Sequence, residues 1–313
     1  MNGQNEKDVL KIMTFNVFDH KCTSQCKTAG AMIDKSECDI VCTQEEPSGA
    51  KDTEHYKRLN TCGRGYEIVG VYYKKNVESA PEFKECIETI PAQGTKRYAI
   101  LFTYKGILIA NLHLEGGRYT DDKLCKGDAT EMNKVYEYKM ELLKKVIDKK
   151  PDIIMGDFNS VYSSKEEQLQ KFLKGQSTYF NDKCKNKVSD DFIGKWNKGP
   201  FEELQKEYTY AEPVNQSESY TSALGKSIVD TIWYKTNTDK FTFMKSEIVQ
   251  SMDPYFQSNY CFYSDHNPVV LTIKLTKSSE GGRTRTVHKS KKHHTHRKRK
   301  ILRKRNNRHT RRK

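Results

Sequence analysis

The stretch Ile153-Ile154-Met155-Gly156-Asp157-Phe158-Asn159-Ser160 runs from apolar, β-capable residues through a glycine to a carboxylate and a carboxamide two positions apart. In extended or turning chain, positions i and i+2 share a side, so Asp157 and Asn159 face the same way. A buried strand that ends like this delivers polar chemistry at its tip. Gly156 lets the backbone turn sharply or approach a neighbour closely. Alone, the stretch reads equally as a strand closed by an Asx-type turn. The rest of the chain has to decide between the two.

Immediately upstream, Met132, Val135, Tyr136, Met140, Leu143 and Ile147 recur at intervals of three and four, the spacing of one buried helical face, and predict a helix over 129–149 that Pro151 ends. Further back, strand-like runs follow in quick succession at 66–73, 83–90, 98–104 and 107–114. The Lys105-Gly106 turn between the last two argues for hairpins and partly antiparallel sheet. The chain opens with a strand over 11–17, a short helix over 25–34 and a strand over 39–43 that enters Gln44-Glu45-Glu46-Pro47. Pro47 forbids a following central strand, so Glu45 stands at a strand end. Residues 48–65 are polar and read as irregular chain. Downstream, a helix is predicted over 164–173 with Ser164 as its cap and Glu167 in the capping-box position. Residues 181–221 read as loops and short helical pieces, and strands return at 227–234, 241–249 and 268–275.

Charge divides the chain in two. Of 55 Lys and Arg residues, 16 lie between Arg283 and Lys313, where no acidic residue occurs. Residues 1–282 therefore carry 55 − 16 = 39 basic and 41 acidic side chains, a formal net of −2. The pI near 9.2 is thus a property of the tail and does not make the remainder an electropositive nucleic-acid groove. We read 1–280 as one catalytic-sized domain and 281–313 as a disordered tail, too poor in apolar residues to offset its ordering entropy. Sixteen cations on flexible chain attract phosphates strongly and without sequence preference; a nuclear address, a packaging signal or an anionic surface are the other uses of such a tail.

Nine cysteines, an odd number scattered through the chain, predict mostly reduced thiols and an intracellular protein. Cys22-x3-Cys26 with Cys38-x3-Cys42 has thiolates to offer zinc, but Cys38 and Cys42 flank strand-like residues and would stand about 13 Å apart. No apolar run has the length of a membrane span, and Met1 to Asp8 is polar, so no signal peptide is expected.

The strand ends decide the reading. Asn16, Glu45, His113, the pair Asp157 and Asn159, and Asp230 all sit at or near the ends of strand-like runs, and Asp265-His266 lies just before the last one. Each has an ordinary structural explanation, as a turn former, a solvated charge or a satisfied core polar group. Together they make the set that hydrolysis of a phosphodiester needs. Hard oxygen ligands hold a magnesium-like ion, a carboxylate or imidazole takes a proton from water, and neutral or cationic donors meet the phosphoryl oxygens. An Asp beside a His also fixes one tautomer of the imidazole.

The ordered series Thr14-Phe15-Asn16-Val17, Gln44-Glu45, His113-Leu114, Gly156-Asp157-Phe158-Asn159, Val229 to Tyr234 and Ser264-Asp265-His266-Asn267-Pro268-Val269 resembles the endonuclease/exonuclease/phosphatase superfamily over residues 9–276. The resemblance implies a DNase I-like four-layer α/β sandwich, two packed mixed sheets with helices outside. It implies Mg2+ as cofactor, with Mn2+ as a substitute, held by Glu45 with Asn16 and Asp265. Asp157 would orient or deprotonate the attacking water, and Asn159 and His113 would hold phosphate oxygens. His266 would stabilise charge on the phosphorane or act as acid/base, with Asp230 accepting its other ring proton. The expected substrate is nucleic acid, met by the active site and the tail of a monomer acting as a nuclease or DNA-end processing phosphodiesterase. Two other readings remain: a sphingomyelinase-like or inositol-phosphate hydrolase whose tail meets anionic lipid, and an idle nucleic-acid-binding protein that kept the fold.

Overall fold

The computed structural model describes residues 8–17, 29–65, 67–89, 96–116, 129–183, 188–216, 219–222, 227–249, 264 and 266–276. The basic tail, Asp265 and the Cys22/Cys26 pair lie outside the described residues. The first half contains β1 (Val9–Asn16), α1 (Ala29–Lys35), β2 (Ile40–Gln44), β3 (Tyr56–Cys62), β4 (Val69–Lys74), β5 (Glu82–Thr89), β6 (Arg97–Tyr104) and β7 (Ile107–His113). The second contains α2 (Ala129–Asp148), β8 (Ile153–Asp157), α3 (Glu166–Lys183), α4 (Asp190–Leu204), β9 (Tyr208–Tyr210), β10 (Asp230–Lys235), β11 (Phe241–Ile248) and β12 (Val269–Leu275).

These strands form two six-stranded sheets, β11-β12-β1-β2-β4-β3 and β5-β6-β7-β8-β10-β9. Both follow one plan. Each is centred on a parallel pair joined by a helical crossover, β1-α1-β2 in one and β7-α2-β8 in the other, as a parallel pair requires. Antiparallel strands flank each pair, β12 and β4 in the first sheet, β6 and β10 in the second. Four carboxyl ends and two antiparallel amino ends are thereby available at one end of the sandwich, which is where the chemistry-bearing residues lie.

Alternation along the strands assigns the layers. Leu10 and Ile12 of β1 pack between the sheets with Ile40, Ile100, Ile109 and Met155, while Met13 and Phe15 face α1 and its Ile33. In β8, Ile153 and Met155 enter the inter-sheet core, and Ile154 meets Leu142, Leu143 and Val146 of α2 and Phe201 of α4. The order is helix, sheet, sheet, helix: an α/β sandwich of DNase I type. Central strands buried on both faces read as continuous apolar runs, which is why they were visible in the sequence. Each large side chain so buried contributes roughly 1.5–3 kcal/mol, and a one-residue slip would exchange the two faces, so the register is firmly set.

Three elements fall where irregular chain is expected. β3 is an edge strand of mostly polar residues with only its two ends fully buried, so it carries no apolar signal. β9 is a three-residue edge strand. α4 tolerates Pro200 and is capped by Ser189, whose hydroxyl accepts from the Phe192 N–H. α3 starts at Glu166 and runs ten residues beyond the predicted end at 173. At its start Ser163, not Ser164, accepts a backbone N–H, that of Lys165, and Ser164 accepts from Gln216 instead.

The cysteine expectation is corrected. Cys62 and Cys86 form a disulfide joining β3 to β5, the edge strands of the two sheets, while Cys38 and Cys42 are free and buried. Half of the described cysteines are therefore oxidised, which removes them from the reduced set behind the intracellular expectation. Cys38 packs on the α1 side and Cys42 between the sheets, so those two share no face for a metal. On the opposite edge, Val214 donates to the Ser246 carbonyl and ties the chain after β9 to β11. The disulfide closes a separation of 24 residues. Its loss by reduction, or in the Cys62→Ala/Cys86→Ala protein, is expected to lower unfolding stability by about 3 kcal/mol through the freed unfolded chain. Denaturation with and without reductant measures it, and coincident curves would refute it.

Candidate active site

Asn16 closes β1, opposite Gln44 in the parallel register, and Glu45 follows directly. His113 and Asp157 close β7 and β8 side by side, and Asp230 opens β10 opposite Asp157. His266 stands just ahead of β12, held by its backbone N–H on Ser264 Oγ at 3.0 Å, while that hydroxyl donates to the Asn16 carbonyl at 2.5 Å. The structure thus gathers seven of the eight sequence-predicted residues. Asp265 lies outside the described residues.

Asp157 is the hub. Its Oδ2 accepts from Asn16 Nδ2 at 2.9 Å and its Oδ1 from the Asn159 backbone N–H at 2.7 Å. The Asx turn and the shared polar face are therefore one arrangement. Asn16 Nδ2 also reaches Glu45 Oε1 at 3.2 Å. His113 Nε2 lies 3.6 Å from Glu45 Oε1 and 3.7 Å from Asp157 Oδ2, and Asn159 Nδ2 is 3.1 Å from the same nitrogen. On the other side, His266 Nδ1 meets Asp230 Oδ2 at 2.7 Å. Glu45, His113 and Asp157 form one cluster able to hold a cation, and Asp157, Asp230 and His266 form a second, with ligand atoms within 4.8 Å in each.

Backbone strain marks the same place. Glu45 and Asn159 adopt left-handed φ values of 53° and 46°, which cost of order 1 kcal/mol or more each for non-glycine residues. Gly156 has φ 143°, and a Cβ there would lie 1.9 Å from the Leu112 carbonyl oxygen. The glycine serves a close approach between β8 and β7.

Burial sets the electrostatics. It pushes the Asp157 carboxyl up to about 6, helped by the Asp230 charge and opposed by His266, Asn16 and the Asn159 N–H. Burial also raises Glu45, against the pull of the Asn16 hydrogen bond. His113 is driven well below the usual imidazole range, first by burial and then by the Arg97 cation, so it works as a neutral ring. Asp230 Oδ1 is buried and has no hydrogen-bond partner among the described residues.

Several residues around this centre escaped the sequence reading. Arg97 Nη1 pairs with Glu67 and lies 3.2 Å from His113 Nδ1, and its Nε and Nη2 take Glu115 at 3.1 and 3.2 Å. Lys139 and Trp196 both reach the Asn159 carbonyl. Gln44, already part of the Gln44-Glu45 motif, ties the sheets together beneath the site, donating to Thr14 Oγ1 at 3.0 Å and Asn111 Oδ1 at 2.5 Å. A signal existed for Lys139: it stands mid-stripe between Tyr136 and Leu142, on the face α2 buries. None existed for Glu67 and Arg97, single charges whose partners are distant in sequence.

No family model matches the chain, and comparison with curated proteins by sequence gives no match. Solved structures do match. An endonuclease/exonuclease/phosphatase from Beutenbergia cavernae is 13% identical with a TM-score of 0.50, over 86% of this chain and 72% of that one. A humanized D. rerio TDP2 is 15% identical with a TM-score of 0.49, over 85% and 99% of the two chains. An AP endonuclease from Archaeoglobus fulgidus is 17% identical with a TM-score of 0.49, over 84% and 98%. Two mixed six-stranded sheets, their flanking helices and the likeness to the Beutenbergia cavernae structure give the chain a DNase I-like fold.

Proposed function

We propose that this chain is a metal-dependent phosphodiester hydrolase acting on nucleic acid, as a nuclease or a DNA-end processing enzyme. The observation that carries the reading is the convergence on Asp157 and its neighbour Asn159 of Asn16, His113 and Asp230 from three other strand ends, with His266 locked on Asp230.

The residues fit a divalent cation. Five carboxylates (Glu45, Glu67, Glu115, Asp157, Asp230) share the region with the Arg97 guanidinium and a Lys139 amine whose charge burial disfavours, and one buried oxygen of Asp230 is orphaned. An anionic diester approaches such a centre only if more positive charge is added. Glu45, with Asn16 and Asp265, would hold the ion. Hard oxygen donors suit Mg2+ or Mn2+, and when bound the ion would neutralise charge on the phosphoryl oxygens.

The chain's own groups supply the rest. Asp157, fixed through both oxygens, orients the attacking water and takes its proton. The Asn159 carboxamide and neutral His113 hold phosphate oxygens. His266, oriented through Nδ1 by Asp230, offers its other ring nitrogen to the developing phosphorane charge. Because the base works ionised, turnover is expected to rise with pH through about 6, with a slope approaching tenfold per unit on the acid side. A flat profile from pH 5 to 8 would exclude Asp157 as the base.

The substrate test uses duplex DNA, abasic DNA, RNA, sphingomyelin and an inositol polyphosphate, each with Mg2+ or with EDTA. Metal-dependent cleavage of nucleic acid supports the reading, turnover confined to lipid or inositol phosphate replaces its substrate, and no turnover of any of them overturns it. The sixteen cations of 283–313 would tether the substrate. Deleting them is expected to weaken DNA binding and flatten its dependence on salt, and an unchanged salt slope would rule the tether out.

A further inference from the structure

Lys139 is a buried lysine that the reaction sketched above leaves unused. It is 1% exposed and sits among the apolar residues of α2. Its Nζ lies 2.7 Å from the Asn159 carbonyl oxygen, 2.6 Å from Ser160 Oγ and 4.0 Å from the centre of the Trp196 ring. Three acceptors thus surround the Lys139 nitrogen. Trp196 Nε1, from α4, donates to the same Asn159 carbonyl at 2.9 Å, and Ser160 Oγ closes the circuit on the Trp196 carbonyl at 2.9 Å.

Two helices therefore clamp one peptide oxygen. That oxygen belongs to a residue with φ 46°, a conformation most L residues avoid. Every other polar group of Asn159 faces the site: its N–H meets Asp157, and its carboxamide meets His113 and the Leu114 carbonyl. Space is confined on the far side too, since a Cβ on Gly116 would lie 2.3 Å from the Asn159 carboxamide. A methionine would fill the space of Lys139 without the cost of desolvating a charge. Burial does pull the Lys139 pKa well down, with Asp157 and Glu115 opposing. What the lysine adds over an apolar side chain is its hold on the turn.

We propose that Lys139 and Trp196 are positioning residues. They pin the Asn159 carbonyl and so aim its N–H at Asp157 and its carboxamide at the phosphate. This rests on the hydrolase reading of Asp157 and Asn159.

The test pairs kinetics with structure. Turnover of bis(p-nitrophenyl) phosphate with Mg2+ is measured for wild type, Lys139→Met, Trp196→Phe and the double variant, alongside hydrogen exchange of the Asn159 amide. Lys139→Met is expected to lower kcat by about 10–100-fold with KM within about twofold, as for a group that aligns without touching substrate. Exchange at Asn159 should speed up. Because both side chains hold one oxygen, the double variant should fall short of the product of the singles. Trp196→Phe keeps the test open if Lys139→Met does not fold. Wild-type kcat with unchanged exchange, or fully multiplicative effects, would overturn the inference. If the wild type cleaves no phosphodiester, the hydrolase reading falls, and the exchange data alone decide whether the clamp holds the turn.

Discussion

Replacing Asp157 by asparagine is expected to cut turnover at least about 100-fold and, above pH 6, to stabilise the folded chain. Both effects come from one desolvated charge. The carboxyl is pushed up to about 6 by burial and the Asp230 charge, whereas an unfolded aspartate titrates near ~3.9. The folded state therefore keeps its proton to higher pH than the unfolded state. It follows that the wild type loses stability as pH rises from roughly 4 to 6, by on the order of 3 kcal/mol for two pKa units. Asparagine has no charge to desolvate and recovers that loss. Against this, the carboxylate accepts from Asn16 on one oxygen and from the Asn159 N–H on the other. A carboxamide has a single oxygen, so one of these bonds goes, at about 1 kcal/mol. The net gain is roughly 1–2 kcal/mol at pH 8, or a few °C in Tm, and it vanishes near pH 4. Calorimetry at both pH values, beside turnover at pH 8, checks the pair of effects. A variant no more stable at pH 8 would show that the carboxylate is solvated, and near-wild-type rates would mean it is not the base.

Burial of this kind also explains what could be read from the residues alone. The central strands were legible because burial on both faces leaves runs such as Ile12 to Phe15 and Ile153 to Met155 without a charged residue, and the polar residue that ends each run then stands out. Asn16, Glu45, His113, Asp157 and Asp230 were found in this way, by contrast with what precedes or follows them. The supporting shell has no such contrast. Arg97 opens a strand as any surface arginine does, and only the folded chain shows that it bridges Glu67 and Glu115 beside His113. Lys139 was passed over because a charge within a helical stripe reads as a gap in the stripe. Edge strand β3 was missed for the converse reason: half-solvated strands need few apolar residues, and its pairing with β4 comes from backbone hydrogen bonds that any sequence can make. The Cys62–Cys86 bond joins strands of different sheets, a proximity that spacing along the chain does not encode.

His266→Ala should be as damaging to turnover as Asp157→Asn, about 100-fold or more, but opposite in its effect on the fold. Asp230 Oδ2 relies on His266 Nδ1 at 2.7 Å, and Oδ1 has no partner among the described residues. Removing the imidazole strands a buried carboxylate, at a cost of about 3 kcal/mol or more. Asp230→Asn removes the charge itself and should cost less. The two changes also act on Asp157 with opposite sign. His266 lowers the Asp157 pKa and Asp230 raises it, so the acid limb of residual activity should move to higher pH in His266→Ala and to lower pH in Asp230→Asn. The double variant separates the roles: with neither charge left to strand, it should regain much of the stability lost in His266→Ala while recovering no turnover. If stability and turnover returned together, the histidine would be a prop for Asp230 and nothing more. If only stability returned, His266 acts on the phosphate, and its pairing with Asp230 makes a buried imidazole tolerable at the strand end where Asp157 works.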